Sequence, residues 1–255
     1  MIYQAEEEGW LVVTQPAHAW LAGKLAAMWG NEAFAAPAPR ESVIVATRLH
    51  DIGWAEWDAV PRLGADGQPV NFLETTLAET VPVWRRGVRL VGTINPVAAL
   101  LVSQHATRIY ERRRERGVDA AVDLAELLDE QASVRRQLLA VLGEEWDTAE
   151  HLQTTYRWLR ACDLLSLAVL SDALPNEGEI GNVPGAHFGE FTTLHYQYQE
   201  PFTLLLHPWP FRGTEARLHV AARYLEHKRY PDQTVFHAAL AEACWRQLPV
   251  TLRYG

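Results

Sequence analysis

The distribution of helix-forming and strand-forming segments changes near residue 175, and this change constrains the fold more than any other feature. Before it, apolar residues recur at helical spacing between turn-forming residues. Pro16, Asn95-Pro96 and Asp147 mark helix starts, because a capping side chain or a first-turn proline suits the free amides there. The pattern predicts six helices, at 16–29, 41–54, 76–93, 96–117, 119–142 and 147–170.

Strand-like segments stand at both ends of the chain. IYQAE and WLVVT flank an acidic turn, so residues 2–14 are predicted to form a β-hairpin. After a predicted loop at 175–185, the pattern predicts strands at 191–199, 202–211 and 216–230, a helix at 236–248 and a last strand at 249–255. We therefore expect a mainly α fold in two parts. Residues 1–175 would form a helical core with the hairpin, and residues 176–255 a small β-rich (α+β) extension packed on it.

Composition and charge argue against several classes of protein. The net charge of −9 and the pI near 5.6 disfavour a nucleic-acid partner. No run of about 18 apolar residues lacks a charge, and the acidic N-terminal segment has no secretory pattern. The two cysteines form no CxxC pair, which is typical of a reducing compartment. We expect a cytoplasmic protein without membrane or nucleic-acid partners, and homo-oligomerisation stays open.

The residues best suited to chemistry are the adjacent His50 and Asp51 in the segment RLHDIGW. Helical proteins bind metals between helices, and imidazole with carboxylate suits Mn, Fe, Co, Ni or Zn better than calcium. His18 lies on the preceding predicted helix. Asp163 lies in the apolar segment WLRACDLLSLAVL, where an ionised carboxylate needs a metal, another cation or hydrogen bonds.

The order of a histidine, a His-Asp pair, a further histidine and a late aspartate resembles the HD superfamily of metal-dependent phosphohydrolases. In that superfamily the first histidine, the pair and the final aspartate hold one divalent metal ion. The matching positions here are His18, His50, Asp51 and Asp163. The resemblance implies an HD-type helical core over residues 16–172, with Asp51 also orienting the nucleophile. Trp54 replaces the lysine of the family's HDIGK form, so a lysine contact to phosphate is not expected at this position.

The whole chain also looks like an uncharacterised bacterial family, number 3891 in the series of domains of unknown function. This resemblance rests on TQPAH at 14–18, HDIGWAEWD at 50–58 and PWPF at 208–211. It includes both ends of the chain and implies no particular reaction.

The number of metal ions depends on the later histidines. Some HD proteins hold a second metal with two histidines placed between the pair and the final aspartate. His105 could supply one of them, and His151 is the other candidate. On a regular helix His151 would lie about 120° away from Asp163, which favours one metal over two. His105 would then act on the substrate as an acid, as a base or as a hydrogen-bond donor to the phosphate.

These features predict a metal-dependent hydrolase of a small phosphate ester or nucleotide, with Asp51 and His105 as its catalytic residues. The cations predicted to contact the substrate phosphate are Arg48, Arg108 and Lys24. Two alternatives stay open: a di-iron oxygenase of the HD type, and a non-catalytic binding or sensor protein organised by its metal.

Structural roles compete with these functional ones. Asp163 could pair with Arg160, three residues earlier on the same helical side. His105 could be a hydrogen-bonded core histidine. Glu56 and Asp58 could cap or solvate the end of their helix instead of supporting the metal ligands.

Overall fold

The computed structural model describes residues 1–115, 125–143, 146 and 149–255. Its α-helices are α1 (Gln15–Met28), α2 (Arg40–Leu49), α3 (Ala55–Ala59), α4 (Leu77–Gly92), α5 (Pro96–Glu115), α6 (Ala125–Leu142), α7 (Ala149–Leu170) and α8 (Gln233–Glu242). Two 3₁₀-helices cover Ile52–Trp54 and Phe72–Glu74. The strands are β1 (Ile2–Ala5), β2 (Trp10–Val13), β3 (Glu177–Pro184), β4 (Phe191–Gln199), β5 (Thr203–His207), β6 (Glu215–Leu225) and β7 (Trp245–Tyr254).

These strands form one mixed sheet with the order β1-β2-β6-β7-β5-β4-β3. Only β5 and β7 run parallel among the neighbouring pairs of the described strands. Trp10 of β2 pairs with Leu225 of β6, so the N-terminal hairpin belongs to the same sheet as the C-terminal strands. The expectation of a mainly α fold, with an HD-type helical core and a small β-rich appendage, is therefore wrong. The sheet is a major layer of the molecule.

The main hydrophobic core lies between this sheet and helices α1 and α7. Leu21 of α1 and Leu159 of α7 share one buried cluster with Leu204 and Val250 of the sheet. Helix α5 contacts α2, α4, α6 and α7 and therefore lies within the helical part of the molecule. The predicted division of the chain into two parts at residue 175 remains a prediction. Two of the described strands precede that residue and five follow it.

Turn and capping signals locate most of the early elements. The predicted hairpin is confirmed, with Ile2 opposite Val13. Helix α1 begins at Gln15, one residue before the predicted start at Pro16, because the Thr14 hydroxyl caps it by accepting a hydrogen bond from the Ala17 amide at 3.2 Å. The predicted helices at 76–93 and 96–117 are confirmed as α4 and α5. Residues 116–124, with the predicted boundaries at 117 and 119, and the predicted start at Asp147 lie outside the described residues.

None of the described helices combines the length and the apolar composition needed to cross a membrane.

The second predicted helix is wrong at its C-terminal end. Helix α2 stops at Leu49, and the chain continues through His50 and Asp51 into the 3₁₀-helix. Gly53 permits the 3₁₀-helix to pack closely on α4, because a Cβ at that position would lie 2.0 Å from the Val83 carbonyl oxygen. The change in direction allows the adjacent His50 and Asp51 side chains to reach the same interior point.

Two predictions in the C-terminal part are also wrong. The predicted loop at 175–185 is mostly strand β3, paired with β4. Its turn-forming residues instead produce an irregularity in register between Ile180 and Val183, where Asn182 adopts a φ of 57°. The predicted helix at 236–248 is too long, since α8 ends at Glu242 and β7 begins at Trp245. The other predicted strands are present as β4, β5, β6 and β7, but β5 and β6 end earlier than predicted, at His207 and Leu225, and β7 begins earlier, at Trp245.

Asp58 connects the hairpin to the helices. Its Oδ1 accepts a hydrogen bond from the Met1 ammonium group at 2.7 Å, and its Oδ2 accepts one from the Gln15 amide at 2.6 Å. Burial raises the pKa of Asp58 and lowers the pKa of the Met1 amine, while their mutual attraction opposes both shifts. Glu56 behaves differently, because it is exposed and forms an ion pair with Arg86 at 2.7 Å.

Replacing Asp58 by asparagine should lower the free energy of unfolding by about 3 kcal/mol, because the substitution leaves a buried ammonium group without its counter-ion. Denaturant unfolding of the chain that begins at Met1 measures this loss. Glu56→Gln is the matched control, since it removes an exposed carboxylate and should cost less than about 1 kcal/mol. Equal losses in the two variants would contradict a stabilising role for the buried pair.

Candidate metal centre

Five polar side chains meet in the interior of the molecule. His18 comes from α1, His50 and Asp51 follow α2, His105 comes from α5 and Asp163 from α7. Their exposed fractions range from 1% to 8%. The structure therefore brings together the four predicted metal ligands and the histidine predicted to be catalytic.

His50 directs its Nε2 atom at two carboxylates. Its Nδ1 lies 2.8 Å from the Thr47 carbonyl oxygen, which can only accept, so Nδ1 carries the proton in the neutral ring. Its Nε2 is buried and has no hydrogen-bond partner among the described residues. That nitrogen lies 3.3 Å from Asp163 Oδ1 and 3.5 Å from Asp51 Oδ2. Three acceptors facing one another in a buried space require a cation, either a proton or a metal ion.

His18 is oriented by a short chain of hydrogen bonds. Ser166 Oγ donates to the Asp163 backbone carbonyl at 2.8 Å, so it accepts a hydrogen bond from His18 Nδ1 at 2.9 Å. The other ring nitrogen, Nε2, lies 2.8 Å from Asp51 Oδ2. Histidines that bind metals commonly donate their second N–H to an oxygen in this way, which fixes the ring orientation.

The separations between these atoms lie near, and partly above, those found around a single metal ion. Ligand atoms at about 2.1 Å from a transition-metal ion lie roughly 3.0–3.4 Å from one another. One nitrogen or oxygen atom each from His18, His50 and Asp163 lie within 4.8 Å of one another. Asp51 contacts both histidines of this group. The competing pairing of Asp163 with Arg160 is not seen, because Arg160 Nη1 donates to the Gly181 carbonyl oxygen at 2.9 Å.

The charges of the cluster favour a bound cation at neutral pH. Burial alone would lower the pKa of His50, but the carboxylates of Asp51 and Asp163 outweigh it and raise that pKa to about 9. Burial would raise the pKa values of both aspartates, and the neighbouring histidines hold them below their usual range. Both carboxylates are therefore ionised near pH 7. In the metal-free protein, a proton on His50 supplies the positive charge.

His105 lies at the edge of this group. Its Nε2 is 3.9 Å from Asp163 Oδ2, and its Nδ1 is 3.1 Å from the Tyr156 hydroxyl group. Burial lowers the pKa of His105 to about 4, so its ring is neutral at pH 7. The predicted partner for a second metal, His151, instead packs against Trp146 with a ring separation of 4.7 Å and does not contact the cluster through any described contact.

A cavity of about 130 Å³ opens onto the cluster. His18, Asp51, His105 and Asp163 line it, and most of its remaining wall is apolar. Trp54, which stands where the HD pattern has lysine, is part of that wall. Arg113 is the one arginine among the described residues that line the cavity.

The family model described as "Protein of unknown function (DUF3891)" matches residues 1–227. The chain belongs to this family. Comparisons with curated proteins and with solved structures find no match. The family match confirms the resemblance based on the TQPAH, HDIGWAEWD and PWPF segments, whereas the comparisons give no support for membership of the HD superfamily. Since the family description names no activity, the function of this member must be inferred from the site.

The three cations predicted to contact a substrate phosphate do not line the cavity. Arg48 lies over the Trp20 ring at 4.5 Å, and Lys24 donates to the His219 carbonyl oxygen at 2.9 Å. Arg108 pairs with Glu111 at 2.8 Å. Arg113 was not predicted, although its position follows from helical spacing. His105, Ile109 and Arg113 stand four residues apart on one face of α5, and all three line the cavity.

Proposed function

We propose that this protein is a metal-dependent hydrolase that acts on a small phosphate ester. The observation that carries the proposal is the buried Nε2 of His50, which has no hydrogen-bond partner among the described residues and faces the carboxylates of Asp51 and Asp163 at 3.5 and 3.3 Å. His18 completes a donor set of two imidazoles and two carboxylates. This set suits Mn, Fe, Co, Ni or Zn as the bound metal.

A divalent ion in this position would acidify water and polarise a phosphoryl oxygen. The protein's own residues would do the rest. Asp51, which lines the cavity, would orient the attacking water. His105 is neutral at pH 7, and in the tautomer whose Nδ1–H donates to the Tyr156 hydroxyl oxygen its Nε2 would accept a proton. Arg113 would hold the phosphate oxygens by charge-assisted hydrogen bonds.

The size of the cavity argues for a small substrate. At about 130 Å³ the cavity is smaller than pockets that hold drug-sized ligands, which span roughly 300–1,000 Å³. A phosphate group with a short organic portion matches this volume, and the apolar wall would contact that organic portion. The base of a nucleotide would have to lie outside the cavity.

One observation favours a second candidate, the di-iron oxygenase. Asp163 directs Oδ1 toward His50 and Oδ2 toward His105, as a carboxylate that bridges two metal ions would. The second ion would have few protein ligands, because His105 is the remaining histidine that lines the cavity among the described residues. Two iron ions per chain, with a mixed-valent spectroscopic signal, would support this candidate over the hydrolase.

The test is a panel of phosphate monoesters graded by size, assayed with each of the five metals and after metal removal. We expect metal-dependent hydrolysis of the smallest esters. Arg113→Gln should raise KM about tenfold, the effect of one lost hydrogen bond to a charged group, without changing the metal content. Arg212→Gln, at an exposed position away from the cavity, is the matched control. No hydrolysis of any ester with any of these metals would overturn the proposal.

A further inference from the structure

A second cavity, of about 240 Å³, lies between α5 and α7 and is lined by four arginines. Arg108 and Arg112 come from α5, and Arg157 and Arg160 come from α7. We refer to it as the arginine cavity. Two acidic residues also line it, Glu111 and Glu115, so positive charges outnumber negative ones. This concentration of arginines stands out in a chain whose net charge is −9.

The two arginines from α7 are held by neutral groups. Arg157 Nη1 donates to the Asn182 carbonyl oxygen at 3.3 Å, and Arg160 Nη1 donates to the Gly181 carbonyl oxygen at 2.9 Å. Both carbonyl groups belong to the irregular part of β3, which aims them at α7. The residues Gly181 and Asn182 thus fix the direction of two guanidinium groups without neutralising their charge.

These guanidinium groups keep unused donors. The Nε atoms of Arg157 and Arg160 are buried and have no hydrogen-bond partner among the described residues. Burial, together with repulsion from Arg108 and Arg112 respectively, lowers the pKa values of Arg157 and Arg160. Partly buried cations that repel one another are unfavourable unless an anion offsets their charge. The forked donors of arginine match the oxygen atoms of a phosphate group.

The arginine cavity and the metal centre lie on opposite sides of one pair of side chains. Tyr156 lines the arginine cavity, and its hydroxyl group contacts His105 Nδ1 at 3.1 Å. His105 lines the cavity at the metal cluster. The two faces of α5 therefore serve different cavities, with Arg112 on one face and the adjacent Arg113 on the other.

We propose that the arginine cavity binds a small anion that carries a diphosphate group, at a site separate from the metal centre. Arg108 is paired with Glu111 at 2.8 Å, so the guanidinium groups of Arg112, Arg157 and Arg160 remain to match a multiply charged anion in the cavity of about 240 Å³. The site does not require a metal and does not depend on the hydrolase activity proposed above.

The test is isothermal titration of inorganic pyrophosphate into the full chain at fixed ionic strength. Metal is first removed on a chelating resin, because a soluble polyanionic chelator would compete for the arginines. The wild-type chain should bind pyrophosphate, and Arg112→Gln should weaken binding about tenfold or more. Arg112 is exposed, so this variant should keep the wild-type melting temperature. Glu111→Gln should strengthen binding, because it removes a negative charge from the cavity wall.

Two controls locate the binding site. Arg212→Gln, which changes the net charge equally at an exposed position that does not line the cavity, should bind pyrophosphate as the wild-type chain does. His50→Ala should also leave the affinity unchanged, because His50 belongs to the metal centre and does not line the arginine cavity. Absence of binding at millimolar pyrophosphate, or equal weakening in Arg112→Gln and Arg212→Gln, would overturn the proposal. Loss of binding in His50→Ala would assign the anion to the metal centre and overturn it as well.

Discussion

Addition of a divalent transition metal should raise the melting temperature of the wild-type chain by about 5–10 °C and should leave that of His50→Ala unchanged. A ligand at a hundredfold excess over its Kd stabilises the folded state by about 2.7 kcal/mol. For a chain of this size each kcal/mol corresponds to roughly 2–4 °C. Alanine removes the buried nitrogen that faces Asp51 and Asp163, so the metal loses a central ligand. Thermal unfolding with and without metal measures the shift.

The comparison is made within each protein, because His50→Ala also changes the stability of the metal-free fold. His219→Ala is the matched control, since this histidine is exposed on β6 and has no part in the cluster. The control should keep the full metal-induced shift. A shift that persists in His50→Ala would mean that the stabilising metal binds elsewhere.

Metal affinity should increase about a hundredfold between pH 6 and pH 8. The pKa of His50 in the metal-free protein is about 9, so the ring carries a proton throughout this range. A metal ion must displace that proton, and the apparent affinity therefore rises about tenfold per pH unit until the pH reaches this pKa. Metal binding at pH 7 should accordingly release about one proton from His50.

Calorimetric titration in buffers of different ionisation enthalpy measures both quantities. Metal affinity rises with pH because the pKa of His50 in the folded protein is raised above 6.5. The ring therefore holds its proton below about pH 9 and loses it above that pH. A constant affinity between pH 6 and pH 8, with no proton released, would mean that metal binding does not involve His50. Among the described histidines, His50 alone contacts both Asp51 and Asp163, so we attribute the released proton to this residue.

The residues of the candidate centre could be predicted from the sequence because each has a local signal. Asp163 is an acidic residue in an apolar helix, and His18 follows a capping threonine on a buried helix face. Helical periodicity does not explain how the adjacent His50 and Asp51 both reach the cluster. The chain leaves the helix at Leu49, and the close approach of Gly53 to α4 sets its new direction.

The cations near the cavity were harder to predict because sequence proximity is a poor guide to side-chain direction. Arg48 precedes the His-Asp pair but turns toward Trp20. Arg113 lies two helical turns from His105 and shares its helix face, which a search by helical spacing would have found.

The sheet could not be predicted because its pairings join distant parts of the chain. Nothing local in WLVVT indicates that Trp10 will pair with Leu225. In the segment 175–185, glycine, asparagine and proline are typical of a loop, yet the pairing with β4 outweighs that local preference. The same residues produce the irregularity that directs two carbonyl groups at the arginine cavity.

The most direct test of the metal centre is elemental analysis of the full chain purified without added metal, beside the His50→Ala, Asp51→Ala double variant. We predict about one ion of Mn, Fe, Co, Ni or Zn per wild-type chain and none in the variant, in keeping with a site of four protein ligands. A wild-type chain that holds none of these metals, even after incubation with each of them, would contradict the proposed centre.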